Sequence, residues 1–304
     1  MNNSQSRLTS ISFGWNLVFM VVLVATAFLV IVPMAFVVII SFSSKASIAA
    51  KGYSLIPAGW TLEGYYYLFK TGMQLMRSYL VSIEYAVLGT LSSLFVMSTF
   101  AYVLAQKTFV ARRFLTWLMF IPMLFGGGLI PNYILMTRYL HIANTFWIFI
   151  LPGLFSGGSV IMLRTFIKTS IPDALMDSAR IDGAGHFRVY ATIVTPLLKA
   201  GLATLALFSF VGKWNDWFTG LLYNDNPWLI PLQTMLYKLM NNMNFIRDNA
   251  SMARTPDAIA ILKSLPADNL RMACTVAVVL PVLLAYPFFQ RYFVKGMLVG
   301  SIKE

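Results

Sequence analysis

The chain has 304 residues, of which 58% are hydrophobic and only 11% charged, and its mean hydropathy is +0.72. That balance excludes a soluble globular protein and points to an integral membrane protein. The net charge of +12 is read as basic residues flanking membrane spans and meeting anionic lipid, which excludes a nucleic-acid surface as its explanation.

A bilayer core about 30 Å thick takes roughly 20 helical residues to cross. Six apolar stretches satisfy this, at 15–42, 79–104, 114–136, 146–163, 193–222 and 272–293. They are continuously apolar and lack period-2 alternation, so the expected fold is all-α with six transmembrane helices in one polytopic domain, 1–304. The first stretch, apolar from Leu17 to Ile40, is too long for a signal-peptide core and has no small-residue cleavage site behind it. An outer segment, 43–78, follows. In the second span Glu84 is a lone acid, expected to be hydrated or paired and not a proton carrier. Within the third span, Gly126-Gly127-Gly128 and Pro131 favour a bend that exposes Asn132 and Tyr133 to a cavity. His141, just beyond, has no second histidine nearby, since His186 falls across the membrane, so no metal site is expected.

Between the fourth and fifth spans lies a polar interruption, 172–196. Its core, 177–196, reads DSARIDGAGHFRVYATIVTP. Pro172 suits a helix start because its missing N–H would be unpaired there, and Asp173 and Asp177 favour the positive N-terminal end. A helix over about 173–181 is predicted. Asp182-Gly183 is a turn signal, with Gly183 able to adopt the left-handed conformation that ends a helix, and Gly185 adds a second break. The chain then restarts, with Phe187, Tyr190 and Ile193 or Val194 at helical spacing. Ala174, Ser178 and Ala179 give the first helix a slim face that could seat in a groove of another protein.

In the fifth span, Trp214 and Trp217 are expected on one helix face, with Lys213 and Asp216 on the neighbouring one. Rings beside Asn215 and Asp216 would suit a sugar, stacking on C–H faces while amide and carboxylate bond hydroxyls. Competing explanations are an interfacial tryptophan belt and a Lys213–Asp216 pair. The long outer segment 223–270 holds Pro227, Pro231, Pro256 and Pro266 around a helical-looking piece, Leu232 to Met240, and is expected to be a lid or docking surface, with a plain Met- and Asn-rich linker as the alternative. Cys274, the single cysteine, lies in the sixth span, so no disulfide can form within the chain.

Basic residues set the expected orientation. Placing both termini in the cytoplasm puts Arg7, Lys107, Arg112, Arg113, Arg164, Lys168, Arg180, Arg188, Lys199, Arg291, Lys295 and Lys303 on that side, 12 of the 23 Lys and Arg.

The 177–196 segment resembles the cytoplasmic coupling motif of ATP-binding-cassette importer permeases, EAAxxDGA followed by a hydrophobic residue and LP. Asp177-Ser178-Ala179 stands at EAA, Asp182-Gly183-Ala184 at DGA and Pro196 at the final proline, with Asp177, Ser178 and Thr195 as the departures. The C-terminal sequence LPVLLAYPFFQRYFVKGMLVGSIKE, with Gln290, Gly296 and Gly300, is similar to carbohydrate permeases of the maltose-transporter type. The long loop and the Trp214–Trp217 run look most like the oligo- and polysaccharide subgroup.

The resemblance implies a type I importer permease, a multi-pass protein of the bacterial plasma membrane. It would pair with a second, different permease subunit, two cytoplasmic ATPase subunits and an extracytoplasmic solute-binding protein that delivers the carbohydrate. ATP and Mg would bind the ATPases, leaving this chain without a cofactor. No GxxxxGK[ST] loop, HExxH or GxSxG occurs in it, so it is not expected to be an enzyme. The rival class, an ion-coupled secondary carrier or channel, would explain the spans and Glu84 but gives the polar segment no purpose.

Overall fold

The computed structural model describes residues 13–70, 72–248 and 267–301. Arg7, Lys303, Pro256 and Pro266, used above, lie outside the described residues. The described residues are helical, with one isolated bridge, Ser43 to Trp60, as their only extended pairing. Among the described residues three helices are long and apolar enough to span a bilayer, and three bent pairs qualify if each counts as one span.

The chain divides into two units, the first formed by residues 1–70 and 246–277. Here α1 (Phe13–Ser41) is apolar nearly all round and exposes Trp15, Leu23 and Leu29, as a helix surrounded by lipid does. Two short helices follow, α2 (Lys45–Lys51) and α3 (Glu63–Lys70), in the segment read from sequence as an outer connection. Hydroxyls tie them down. Ser44 caps α2 by accepting from the Ser47 N–H, the Ala58 N–H donates to Ser47 Oγ at 2.7 Å, and Ser41 Oγ meets Tyr65 Oη at 2.8 Å.

The second unit comprises residues 71–245 and 278–304 and is organised on α4 (Gly72–Ala105). This helix begins at Gly72, inside the presumed outer segment. Its buried positions Leu75, Ser78, Ser82, Ala86, Gly89, Ser93, Met97, Ala101 and Leu104 recur every three or four residues, one continuous stripe. Most are small, which lets neighbouring backbones approach closely where lipid supplies no hydrophobic drive. Against this stripe pack α8 (Gly157–Ser170) and α12 (Lys199–Trp214), joining Met97, Ala101 and Leu104 to Val160, Leu163, Ile167 and Leu205 in one core.

The third span, where a bend is expected, is broken, and so are the fourth and fifth, expected to be continuous. The third turns by 115° between α5 (Arg112–Leu124) and α6 (Leu129–Ile134), which continues as a π turn, Leu135–Tyr139. Gly128, at φ +83°, occupies the left-handed region that this corner needs. The fourth bends by 52° between α7 (Trp147–Ile150), extended by the 3₁₀ turn Leu151–Gly153, and α8.

The fifth bends by 79°. A polar stretch of α9 (Asp173–Ile181) and α10 (His186–Val189) leads through a π turn, Tyr190–Val194, and α11 (Thr195–Leu197) before α12 starts. Pro196 stands in the first turn of α11, where its missing N–H costs least. Beyond α12 come α13 (Phe218–Tyr223) and α14 (Leu232–Asp248), the latter running well past the Leu232 to Met240 piece read from sequence. The last helix, α15 (Ala267–Ser301), contains Pro281 and Pro287 and includes Gln290, Gly296 and Gly300.

Candidate functional site

The polar segment is built by a helix stop. At the end of α9 the Gly183 N–H donates to the Arg180 carbonyl at 3.0 Å and the Ala184 N–H to the Ala179 carbonyl at 2.9 Å. Those two bonds are the Schellman closure, and Gly183 takes the positive φ of +83° that it demands. Ala179 and Ala184 pack on the core beneath, and Met176 is buried beside them. The slim face read from sequence therefore points inward in part: Ala179 seats α9 on its own protein, while Ala174 and Ser178 stay outside.

Side chains from the turn just after α4 fix α9 in place. Lys107 Nζ pairs with Asp173 Oδ2 at 2.6 Å, Arg180 donates to Gln106 Oε1 and to Asp177 Oδ1, and Gln106 Nε2 contacts the Met176 sulfur. Asp173 holds the Lys107 ammonium above its ordinary pKa, through the hydrogen bond first and charge second. Tyr190 ties the following turn to α4 itself, its hydroxyl 2.7 Å from Ser98 Oγ in a buried contact. Phe187, at helical spacing with the buried Tyr190 and Val194, is itself 75% exposed, and Ile181 is 87% exposed. With Leu175 they leave large apolar side chains standing on an otherwise polar surface that also presents Asp177, Ser178, Asp182 and Gly183. Pro196 is exposed in α11, away from the turn.

The second candidate region is the break between α12 and α13. Trp214 and Trp217 do not share a helix face, because α12 ends at Trp214, Asn215 caps it and Trp217 stands at the N-cap of α13. Trp214 is 2% exposed and its indole N–H donates to the Val278 carbonyl at 3.1 Å, which holds the ring in the interior. Trp217 stacks on Tyr237, ring centroids 4.2 Å apart. Asp216 Oδ2 accepts from the Tyr85 hydroxyl at 2.9 Å and Oδ1 from the Thr219 N–H at 3.0 Å, capping α13. Asn215 accepts from Gln233 at 3.0 Å and keeps its side chain exposed.

Lys213 does not pair directly with Asp216. Its stem lies in a slot where a Cβ on Gly89 would meet Lys213 Cδ at 2.8 Å, and one on Gly153 would meet Nζ at 2.7 Å. The ammonium reaches the Gly153 carbonyl at 3.4 Å and sits 5.6 Å from the centre of the Tyr85 ring. Asn132 and Tyr133, beyond the 115° corner, are both exposed, and Tyr133 stacks on Tyr223 with ring centroids 5.5 Å apart. Glu84 is also exposed.

The two regions stay apart, one fastened to α4 at Ser98 and to the turn after α4 at Gln106 and Lys107, the other to α4 at Tyr85. Tyr85, Gln106, Gln233 and Tyr237 escaped the sequence reading. None has a motif around it, and the Tyr85–Asp216 bond joins positions 131 residues apart.

The fold and these regions define a polytopic α-helical membrane protein with a structured polar segment between two spans. Residues 96–299 match the family described as binding-protein-dependent transport system inner membrane component, and the chain belongs to that family. Protein LplC of Bacillus subtilis is 35% identical over 275 residues, covering 90% of this chain and 89% of its own length. The polygalacturonan/rhamnogalacturonan transport system permease protein YtcP of the same organism is 33% identical, covering 91% and 94%. A crystal structure of a bacterial ABC transporter involved in import of the acidic polysaccharide alginate contains a chain of the same fold, with TM-score 0.75, 24% identity, and 96% and 99% of the two chains covered. The protein is thus a multi-pass transport component of a bacterial membrane and not an enzyme.

Proposed function

We propose that this chain is the permease subunit of an ATP-driven carbohydrate importer, and that α9 and the turn behind it are where force enters. The observation that carries the docking role is the α9–α10 geometry. A Schellman turn at Gly183 holds Leu175, Ile181 and Phe187 outward beside Asp177 and Asp182, on a backbone clamped to the turn after α4. Exposed apolar groups of this size on a polar surface mark a protein contact. The partner there is a cytoplasmic ATPase subunit, two of which complete the assembly together with a second, different permease chain and an extracytoplasmic solute-binding protein. Both termini then lie in the cytoplasm. The family's dependence on a binding protein supports this arrangement over an ion-coupled carrier or channel.

The substrate class is an oligo- or polysaccharide, in keeping with the polysaccharide named for YtcP. Of the pathway residues, Asn132, Tyr133, Asn215 and Trp217 keep exposed polar or aromatic surface, and Asp216 is half-buried among its partners. ATP binding and the loaded binding protein each shift the equilibrium between inward- and outward-facing states by their differential affinity for the two.

The test is Gly183→Asp in the reconstituted complex with its binding protein. A side chain forced to a φ of +83° distorts the turn. Sugar uptake should fall while ATP hydrolysis and membrane insertion persist. Uptake at the unmodified rate would remove the docking role.

A further inference from the structure

We propose that the second unit carries a binding site for one anionic phospholipid, made by α4, α5 and α8 on the membrane face that bears α9. Two independent features meet on these three helices. One is an apolar cavity of about 480 Å³ lined by Phe100 of α4, Leu115, Met119 and Met123 of α5, and Phe155 and Gly157 where α8 begins. The α5 residues are four apart, one face running about 12 Å away from the start of that helix.

The other feature is a cluster of cations. Arg112 opens α5 one turn before Leu115, Arg164 and Lys168 lie a turn apart on α8, and Lys168 feels the charges of Arg164, Arg112 and Lys107 together with the weaker opposing charge of Asp173. Lys107 is already paired with Asp173. Among the described residues no carboxylate forms an ion pair with Arg112, Arg164 or Lys168, and the buried Nε of Arg164 has no hydrogen-bond partner. Clustered cations at the end of a spanning segment attract anionic headgroups. An acyl chain suits the apolar lining, and a phosphate on the same molecule suits the cations at its end. Neither water nor a neutral lipid satisfies both.

The experiment uses the complete purified importer, exposed to phosphatidylglycerol and phosphatidylcholine with identical acyl chains and analysed by native mass spectrometry. The unmodified complex should retain phosphatidylglycerol over phosphatidylcholine by about tenfold or more. Arg164→Gln with Lys168→Gln should bring that ratio close to one. Leu115→Trp, which fills the cavity and leaves the charges, should lower retention of both lipids. If the double variant fails to assemble, Lys168→Gln alone, at an exposed side chain, should still reduce the ratio. Equal retention of the two lipids by the unmodified complex would overturn the proposal, as would a preference that survives loss of both cations. So would displacement of the lipid by inorganic phosphate but not by chloride at equal ionic strength, which would make this a free-anion site. A cross-link from Met123→Cys to the other permease chain would assign the cavity to a partner helix.

Discussion

The α9–α10 segment and the α12–α13 break are both polar interruptions of an apolar chain, yet they are stabilised in opposite ways. The first is closed by its own backbone, through two bonds spanning residues 179–184, with the turn after α4 adding clamps. The second has local cap bonds as well, but its side chains are satisfied from afar, since Tyr85, Gln233 and the Val278 carbonyl partner Asp216, Asn215 and Trp214. A locally closed turn can present its side chains to a partner and survive their substitution. A break held by distant groups is part of the interior and tolerates little.

The largest effect expected from this contrast is at Trp214. Trp214→Ala should destabilise the complex by about 3–5 kcal/mol, read as a lowered Tm and yield, whereas Trp217→Ala, at a half-open ring, should reduce sugar uptake with the assembly intact. Equal Tm losses in the two would erase the distinction between packing and pathway residues.

Next is the lysine slot. Gly89→Ala places a methyl 2.8 Å from Lys213 Cδ and should cost about 1–3 kcal/mol. Combined with Lys213→Ala the two losses should be less than additive in a double-mutant cycle. Strict additivity would mean that the glycine is not there to admit the lysine.

A smaller effect is expected at the locally closed turn, where Gly183→Ala should cost about 1–2 kcal/mol and act mainly on coupling, measured as ATP hydrolysed per sugar imported. The smallest is at the exposed Lys107–Asp173 pair, where Asp173→Asn should leave Tm within error. The sign follows from the raised Lys107 pKa. Its contribution is present below the unfolded lysine value and lost only as pH rises through the folded one, so thermal stability across the neutral range should not respond to this pair.

The same contrast explains what could be read without coordinates. The bounds of α9 and the conformation of Gly183 follow from Pro172, Asp173 and Asp182-Gly183, because a helix start and stop are decided within a few residues. The apolar character of the spans is equally local. The bends at residues 154–156 and at Leu198 were not legible, since hydropathy registers burial in lipid and is blind to direction. The Trp214–Trp217 face failed for a related reason: helical spacing carries a contact only while the helix continues, and this one ends at Trp214. The side-chain partners of Lys213 and Asp216 come from α4 and the turn before α8, and no spacing rule links them to Trp214-Asn215-Asp216-Trp217.

One property of α4 bears on both regions. It has 34 residues and no internal proline, whereas α1, α5 and α15 each contain at least one. At 1.5 Å per residue it is about 50 Å of unjointed helix. Near one end its Ser98 holds Tyr190, in the turn that follows the proposed docking segment, and farther along its Tyr85 holds Asp216 in the polar break. Between those two grips α4 has no proline at which to kink, so a displacement at one would be carried to the other as by a connecting rod.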